Sequence, residues 1–153
     1  MELEIRKITQ AEGFPFDLLL LADPSREIVE EYIKRGDCYG AYLNDEVIGE
    51  YVLIRTRPET VEIVNVAVHE DHQGKGIGKR LVLHAIESAK RDNMKTVEIG
   101  TGNSGVQQLA LYQKCGFRIV GVDPDFFVRH YDEEIYENGI QCRDMVRLRL
   151  ELP

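Results

Sequence analysis

The sequence predicts a mixed α/β domain, a central mixed sheet with helices on both faces. Three observations lead there. Segments rich in β-branched residues alternate with segments of helical periodicity. A strand candidate of this kind, residues 60–69, runs straight into a three-glycine loop and then a long helical pattern. At 153 residues the chain suffices for one domain with its own core, residues 1–153, and no repeat, low-complexity segment or linker divides it.

Residues 3–8 alternate apolar and polar side chains, the pattern of a half-buried first strand. Residues 11–22 carry Phe14, Phe16 and the run Leu18, Leu19, Leu20 and Leu21, a first helix with Pro15 near its start. Asp23-Pro24 has the form of an N-cap followed by proline at the first helical position. A second helix is therefore expected through Ile28, Val29, Tyr32 and Ile33, stopping at Gly36. Residues 38–43 and 47–55 read as strands joined by a turn at Asn44-Asp45-Glu46. Arg57-Pro58-Glu59 turns the chain into the strand 60–69. The glycine loop then opens a helix from Gly76 to around Asp92, where Asn93 can cap the end. Residues 96–100 form a short buried strand and 105–114 a short helix, closed by glycine at Cys115-Gly116. Residues 117–122 and 142–152 are the last strands. The connection 123–141 is long and holds Pro124, Phe126, Phe127, Tyr131, Tyr136 and the acidic run Asp132-Glu133-Glu134. Such a connection is either functional or disordered, and its aromatics argue for order.

Composition narrows the function classes. A hydrophobic share of 43% and a charged share of 30% are ordinary for a soluble globular protein. The net charge of −8 argues against nucleic-acid binding and leaves room for cationic acceptors such as amines, although a solvated acidic surface gives the same balance. No apolar run approaches the ~20 residues that span a bilayer, and Met1-Glu2-Leu3-Glu4-Ile5-Arg6 lacks the regions of a signal peptide. Cys38, Cys115 and Cys142 are odd in number and far apart, so neither a disulfide framework nor a zinc site is expected, and a cytoplasmic location fits. The four histidines form no i, i+4 pair, so no metal is expected.

Strand, glycine loop and helix in that order build an anion site, because the first helical turn leaves N–H groups unpaired and its dipole favours negative charge. A Walker loop would need four residues between its glycines; Gly74 and Gly78 leave three, and Arg80 rather than Ser or Thr follows Lys79. A dinucleotide loop would need its third glycine at position 79, which is Lys79. Glu98 stands where that motif's acidic residue would fall, but the glycine spacing argues against it.

Gln73-Gly74-Lys75-Gly76-Ile77-Gly78 resembles the Gln/Arg-x-x-Gly-x-Gly/Ala motif of the GCN5-related N-acetyltransferase (GNAT) superfamily. Leu111-Tyr112-Gln113-Lys114-Cys115-Gly116-Phe117 is similar to that family's Leu-Tyr-x-Lys-x-Gly-Phe segment. The resemblance covers most of the chain, from the 38–55 hairpin to the last strand. It implies the GNAT fold, a central, mixed, mostly antiparallel twisted sheet of six to seven strands flanked by about four helices. It implies acetyl-CoA as cosubstrate, with no metal. The pyrophosphate would lie on the backbone of Gln73, Gly74, Lys75, Gly76, Ile77 and Gly78, with the Lys75 and Lys79 side chains near the phosphates. The early helices would close over the acceptor.

Acetyl transfer to an amine needs a neutral nucleophile, hydrogen bonds to the carbonyl oxygen and a proton for the departing thiolate. The resemblance assigns the carbonyl to backbone N–H groups of Val66, Ala67 and Val68 on a bulged, splayed strand, and the proton to Tyr112. Glu98, five residues before Asn103, resembles the catalytic Glu and pantetheine-contacting Asn of some protein N-terminal acetyltransferases, with Glu62, Glu50 or an ordered water as alternative bases. Asn103 stands nine residues before Tyr112 where the family usually has seven, and Gly105 takes the seven-residue spot. Cys115 occupies a variable motif position without a visible histidine partner, so direct attack in a ternary complex is expected. The acceptor would be a small amine or a peptide or protein amine, and a homodimer is common in the family. A catalytically silent CoA-binding sensor is the alternative.

Overall fold

The computed structural model describes residues 2–153. Four strands joined by tight turns or helices build one half of the sheet: β1 (Glu4–Lys7), β2 (Asp37–Leu43), β3 (Glu46–Arg57) and β4 (Thr60–Val68), each antiparallel to the next. The β2–β3 turn is Asn44-Asp45 alone, with φ of 51° and 66°, the left-handed pair whose twist suits a two-residue hairpin. Glu46, expected in the turn, pairs with Leu43 instead. Helix α1 (Phe16–Ala22) and helix α2 (Arg26–Ile33) lie between β1 and β2 in sequence. Helix α3 (Ile77–Arg91) carries the chain to β5 (Thr96–Gly102), parallel to β4. Next come α4 (Val106–Lys114), β6 (Arg118–Asp123), α5 (Phe126–His130), the small hairpin β7 (Tyr136–Glu137) and β8 (Ile140–Gln141), and β9 (Met145–Glu151). The main sheet has seven strands in the order β1-β2-β3-β4-β5-β9-β6, and β4–β5 is its parallel pair.

Amphipathic spacing fixes which face each helix covers. α3 buries Ile77, Leu81, Val82, Ala85, Ile86 and Ala89, a stripe of helical period, against Tyr51, Ile63, Val97, Ile99, Tyr112 and Leu148. Leu81 alone, with no exposed surface, contributes roughly 2 kcal/mol by burial. On the opposite face, Leu19 of α1 and Val29, Tyr32 and Ile33 of α2 close over Cys38, Val52 and Ile54.

Two local expectations are corrected and a third, the order of the long connection, is met. The first helix does not run through 11–22: Gln10–Glu12 is a single 3-10 turn, Gly13 takes φ 82°, and α1 starts after Pro15, which cannot continue a helical ladder. Asp23 does not cap α2. Ser25 does, its Oγ accepting from Ile28 N at 3.2 Å, while the Asp23 carboxylate turns inward to tyrosine hydroxyls. The connection 123–141 is ordered as α5 and the β7–β8 hairpin, whose turn is Asn138-Gly139 with φ of 56° and 74°.

Helix ends follow the sequence signals. Asn93 at φ 59° closes α3, with Asn93 N donating to Lys90 O at 3.0 Å and Met94 N to Ala89 O at 2.9 Å. Gly116 at φ 105° closes α4 in the same way, with Gly116 N on Gln113 O at 3.0 Å and Phe117 N on Tyr112 O at 3.1 Å. That cap sets the end of α4 on which Tyr112 sits. A Cβ at this φ is strained, so Gly116→Ala should lower stability by roughly 1–2 kcal/mol and the melting temperature by about 2–8 °C. An unchanged melting temperature in calorimetry would show that this cap does not constrain α4.

Candidate functional site

The sheet opens between β4 and β5. The two strands pair from Thr60 with Thr96 to Ile63 with Ile99 and no further. At that point β4 bulges: Val52 of β3 faces Asn65 and Leu53 faces Ile63, which leaves Val64 as an extra residue. Beyond the bulge β4 stays with β3, while Gly100 to Gly102 stay with β9. A wedge-shaped gap results. His69 N donates to Ile48 O at 2.7 Å, so the antiparallel alternation directs Ala67 and Asn65 toward β3 and turns the N–H and C=O of Val66 and Val68 into the gap. The Gln73 side chain takes one of these free groups, donating to Val68 O at 3.0 Å. Of the three expected backbone donors, two therefore face the gap.

The wide end of the gap meets the glycine loop. Gly74 and Gly76 adopt φ of 78° and 80°, and nothing lies within 4 Å of where their Cβ atoms would be. No side chain caps α3, and its first turn holds no acidic residue. The N–H groups of Ile77, Gly78 and Lys79 accordingly lack intrahelical partners. Lys75 and Lys79 are exposed and form no ion pair among the described residues. A Cβ at Gly78 would meet Leu111 of α4 at 3.7 Å and Val68 at 3.9 Å, so the loop is tucked between the gap and α4. Unpaired donors, open glycine backbone and unpaired lysines together fit a phosphate-bearing group.

Tyr112 is 4% exposed, with its ring edge-on to Phe117, and its hydroxyl makes no hydrogen bond among the described residues. Burial pushes its pKa up, and Cys115, Glu137 and Glu50 add to the effect, so the phenol keeps its proton at neutral pH. Cys115 is partly buried and its thiol pKa is raised by that burial, against a lowering by Lys79. Asn103 directly follows β5 and anchors residues 141–144: its Oδ1 accepts from Arg143 N at 2.8 Å and Asp144 N at 2.9 Å, and its Nδ2 donates to Gln141 O at 3.1 Å. One side-chain N–H is left for any cofactor.

On the sheet face opposite α3, a cavity of about 340 Å³ is lined by Thr56, Arg57, Glu62, Glu98, Arg147 and Arg149 among others. Glu98 accepts from Arg57 and lies 3.5 Å from Arg149 Nε. Glu62 stands beside it in the parallel register, its pKa raised by desolvation and lowered again by Arg147. Sequence reasoning missed the arginines, although Arg147-Leu148-Arg149-Leu150 alternates with period two and signals a cationic strand face. It also missed a buried polar group beneath α1 and α2. Asn65 Nδ2 donates to Tyr32 Oη at 2.8 Å and Leu19 O at 3.0 Å, and Asp23 accepts from Tyr32 at 3.2 Å and from Tyr131 at 2.9 Å. On the same side of the sheet, Glu50 is fully buried, faces Ala67 across β3–β4, and neither of its oxygens has a partner. Burial drives its pKa well above the ordinary 4.5.

Residues 5–117 match the acetyltransferase (GNAT) family. The chain is 67% identical over 137 residues to an uncharacterized N-acetyltransferase, YvbK, of Bacillus subtilis (strain 168), covering 90% of this chain and 88% of that one. A Bacillus subtilis acetyltransferase crystallised with CoA superposes with a TM-score of 0.94 at 62% identity, over 99% of this chain and all of the other (100%). A GNAT family acetyltransferase from Elizabethkingia anophelis with acetyl-CoA bound gives a TM-score of 0.96 at 48% identity, over 98% of each chain.

Glu50 yields a test by titration. Its folded pKa lies above its unfolded one, so its neutral form supports the fold fully below the ordinary carboxyl value, and that support fades as pH climbs toward the folded pKa. Glu50→Gln removes the titration, and its stability relative to the parent should rise as pH climbs above the ordinary carboxyl range. Denaturant unfolding at several pH values checks this; a pH-independent difference would mean that Glu50 is ionised and paired in the fold.

Proposed function

The chain belongs to the acetyltransferase (GNAT) family, and on that premise we propose that it moves the acetyl group of acetyl-CoA to a primary amine by direct attack within a ternary complex. The observation that carries this reading is the β4–β5 gap, where the N–H groups of Val66 and Val68 are left without strand partners and the uncapped end of α3 packs against α4, the helix that carries the unbonded Tyr112 hydroxyl. The backbone of Gln73, Gly74, Lys75, Gly76, Ile77 and Gly78 would hold the pyrophosphate, with Lys75 and Lys79 balancing its charge. Acetyl-CoA bound there supplies an activated acetyl thioester. Val66 and Val68 donate toward its carbonyl oxygen as negative charge develops. Tyr112 carries the proton that the departing sulfur needs. Asn103 keeps β5 and the 141–144 segment together beside the gap, with one N–H free toward the pantetheine arm.

Glu98 is the proposed base. It lines the cavity and can meet an incoming amine, whereas Glu50 is sealed beneath α1 and α2. The amine arrives as an ammonium, which a chain of net charge −8 attracts, and it must lose a proton before attack. A thiol whose pKa is raised by burial is a poor nucleophile, which favours direct attack over a Cys115 intermediate. Three free cysteines suit a reducing, cytoplasmic setting.

CoA release measured over an amine panel tests the assignments. Tyr112→Phe should lower kcat by about 100-fold and Glu98→Gln by a similar order, while the melting shift induced by acetyl-CoA persists. Full activity in either variant removes that residue from its role. Binding of acetyl-CoA without CoA release against any amine would instead favour a silent CoA-binding module.

A further inference from the structure

The cavity beside Glu98 has a charge pattern that the chain as a whole does not. Its walls carry three arginines, Arg57, Arg147 and Arg149, against two glutamates, Glu62 and Glu98, in a chain of net charge −8. Two of the arginines are occupied: Arg57 donates to Glu98, and Arg149 Nε sits between Glu98 at 3.5 Å and Glu151 at 3.8 Å. Arg147 is different. Its nearest carboxylate is Asp123 at 3.9 Å, beyond hydrogen-bond reach, and Asp123 is already bound by Arg129 at 2.6 Å. The Arg147 guanidinium otherwise lies 5.7 Å from the Phe126 ring, near the outer limit of a cation–π contact. Among the described residues Arg147 makes no hydrogen bond, and neither does Glu62. The cavity thus presents one free guanidinium fork and one free carboxyl. Both belong to strands that bracket β5: Glu62 lies beside Glu98 in the register, and Arg147 faces Gly100, the first β5 residue past the pairing with β4.

We propose that the acceptor is a small molecule carrying a carboxylate as well as its amine, an α-amino acid or a compound of that build. The proposal rests on the acetyltransferase reading and adds a substrate class to it. The carboxylate lies on the Arg147 fork, for which a planar guanidinium is the matched partner. The ammonium lies between Glu62 and Glu98, beside the last β4–β5 pairs before the gap opens, where one of them takes its proton before attack. A volume of about 340 Å³ falls at the small end of ligand pockets. An acceptor with both charges leaves neither the fork nor Glu62 unpaired, whereas a simple polyamine would set a second cation against Arg147.

The test uses CoA release from acetyl-CoA with the twenty standard amino acids, each compared with its own α-amide, which keeps amine and side chain but lacks the charge. The expected result is an acid preferred over its amide by at least about tenfold in kcat/KM. In Arg147→Ala that preference should collapse through KM for the acid, and Arg147→Lys should restore part of it. The acetyl-CoA melting shift of each variant confirms that the donor site is folded. Amides turned over as well as acids, or a preference untouched by Arg147→Ala, would overturn the proposal while leaving the acetyltransferase reading intact. No CoA release with any amine, despite acetyl-CoA binding, would overturn both.

Discussion

Parallel strands that pair for four residues and then separate leave backbone donors and acceptors without partners, and burying such groups is costly. Here the separation is enforced by one extra residue. Val64 has no counterpart on β3, so β4 bends with β3 and away from β5. The groups freed at Val66 and Val68 form a ready ladder edge inside the domain. An extended ligand chain can complete it without disturbing the sheet. The glycine loop and the α3 N-terminus sit where they do because β4 delivers them to the open end of that gap.

The bulge has a second consequence. It turns Asn65 toward α1 and α2, where its amide reaches both Leu19 O and the Tyr32 hydroxyl. Asp23 continues this network to Tyr131, a residue of the connection that follows β6. The bulged strand, the helical elbow and the late connection are thereby joined through one tyrosine–carboxylate network. Glu50 is left beneath the same helices without a partner, which makes it the least satisfied buried group near the site. The two faces of the sheet differ accordingly: α3 covers one face, while the other carries α1 and α2 and, beside them, a charged basin lined by strand residues.

Local signals were legible where a residue's role is met by its own neighbours. Asn93 and Gly116 were expected to end helices and do so with left-handed φ, because the cap bonds run to residues three to five positions back. The Asn138-Gly139 pair takes its left-handed turn between β7 and β8 on equally local grounds. The extent of the first helix was not, because Gly13 and Pro15 break what four leucines suggest. Asp23 misled because its sequence context, just before Pro24, is that of a cap, while its carboxylate accepts from Ser25 N and, beyond local reach, from Tyr32 and Tyr131, nine and 108 residues away. Asn103 was expected beside the cofactor; its role as the anchor of residues 141–144 was not legible, because it is set by strands far apart in sequence.

The sequence by itself determined the strand–loop–helix unit, its glycine spacing and the Tyr112 segment, and so the family and the class of donor. These are short-range features: a loop's phosphate geometry and a helix cap depend on φ values and on residues within one turn. Only the tertiary structure decided which backbone groups of β4 are free, because strand alternation and the bulge depend on register with β3. It alone assembled the charged cavity as well. Glu62, Glu98, Arg147 and Arg149 come from three strands, and their charges act on one another only once β9 inserts between β5 and β6.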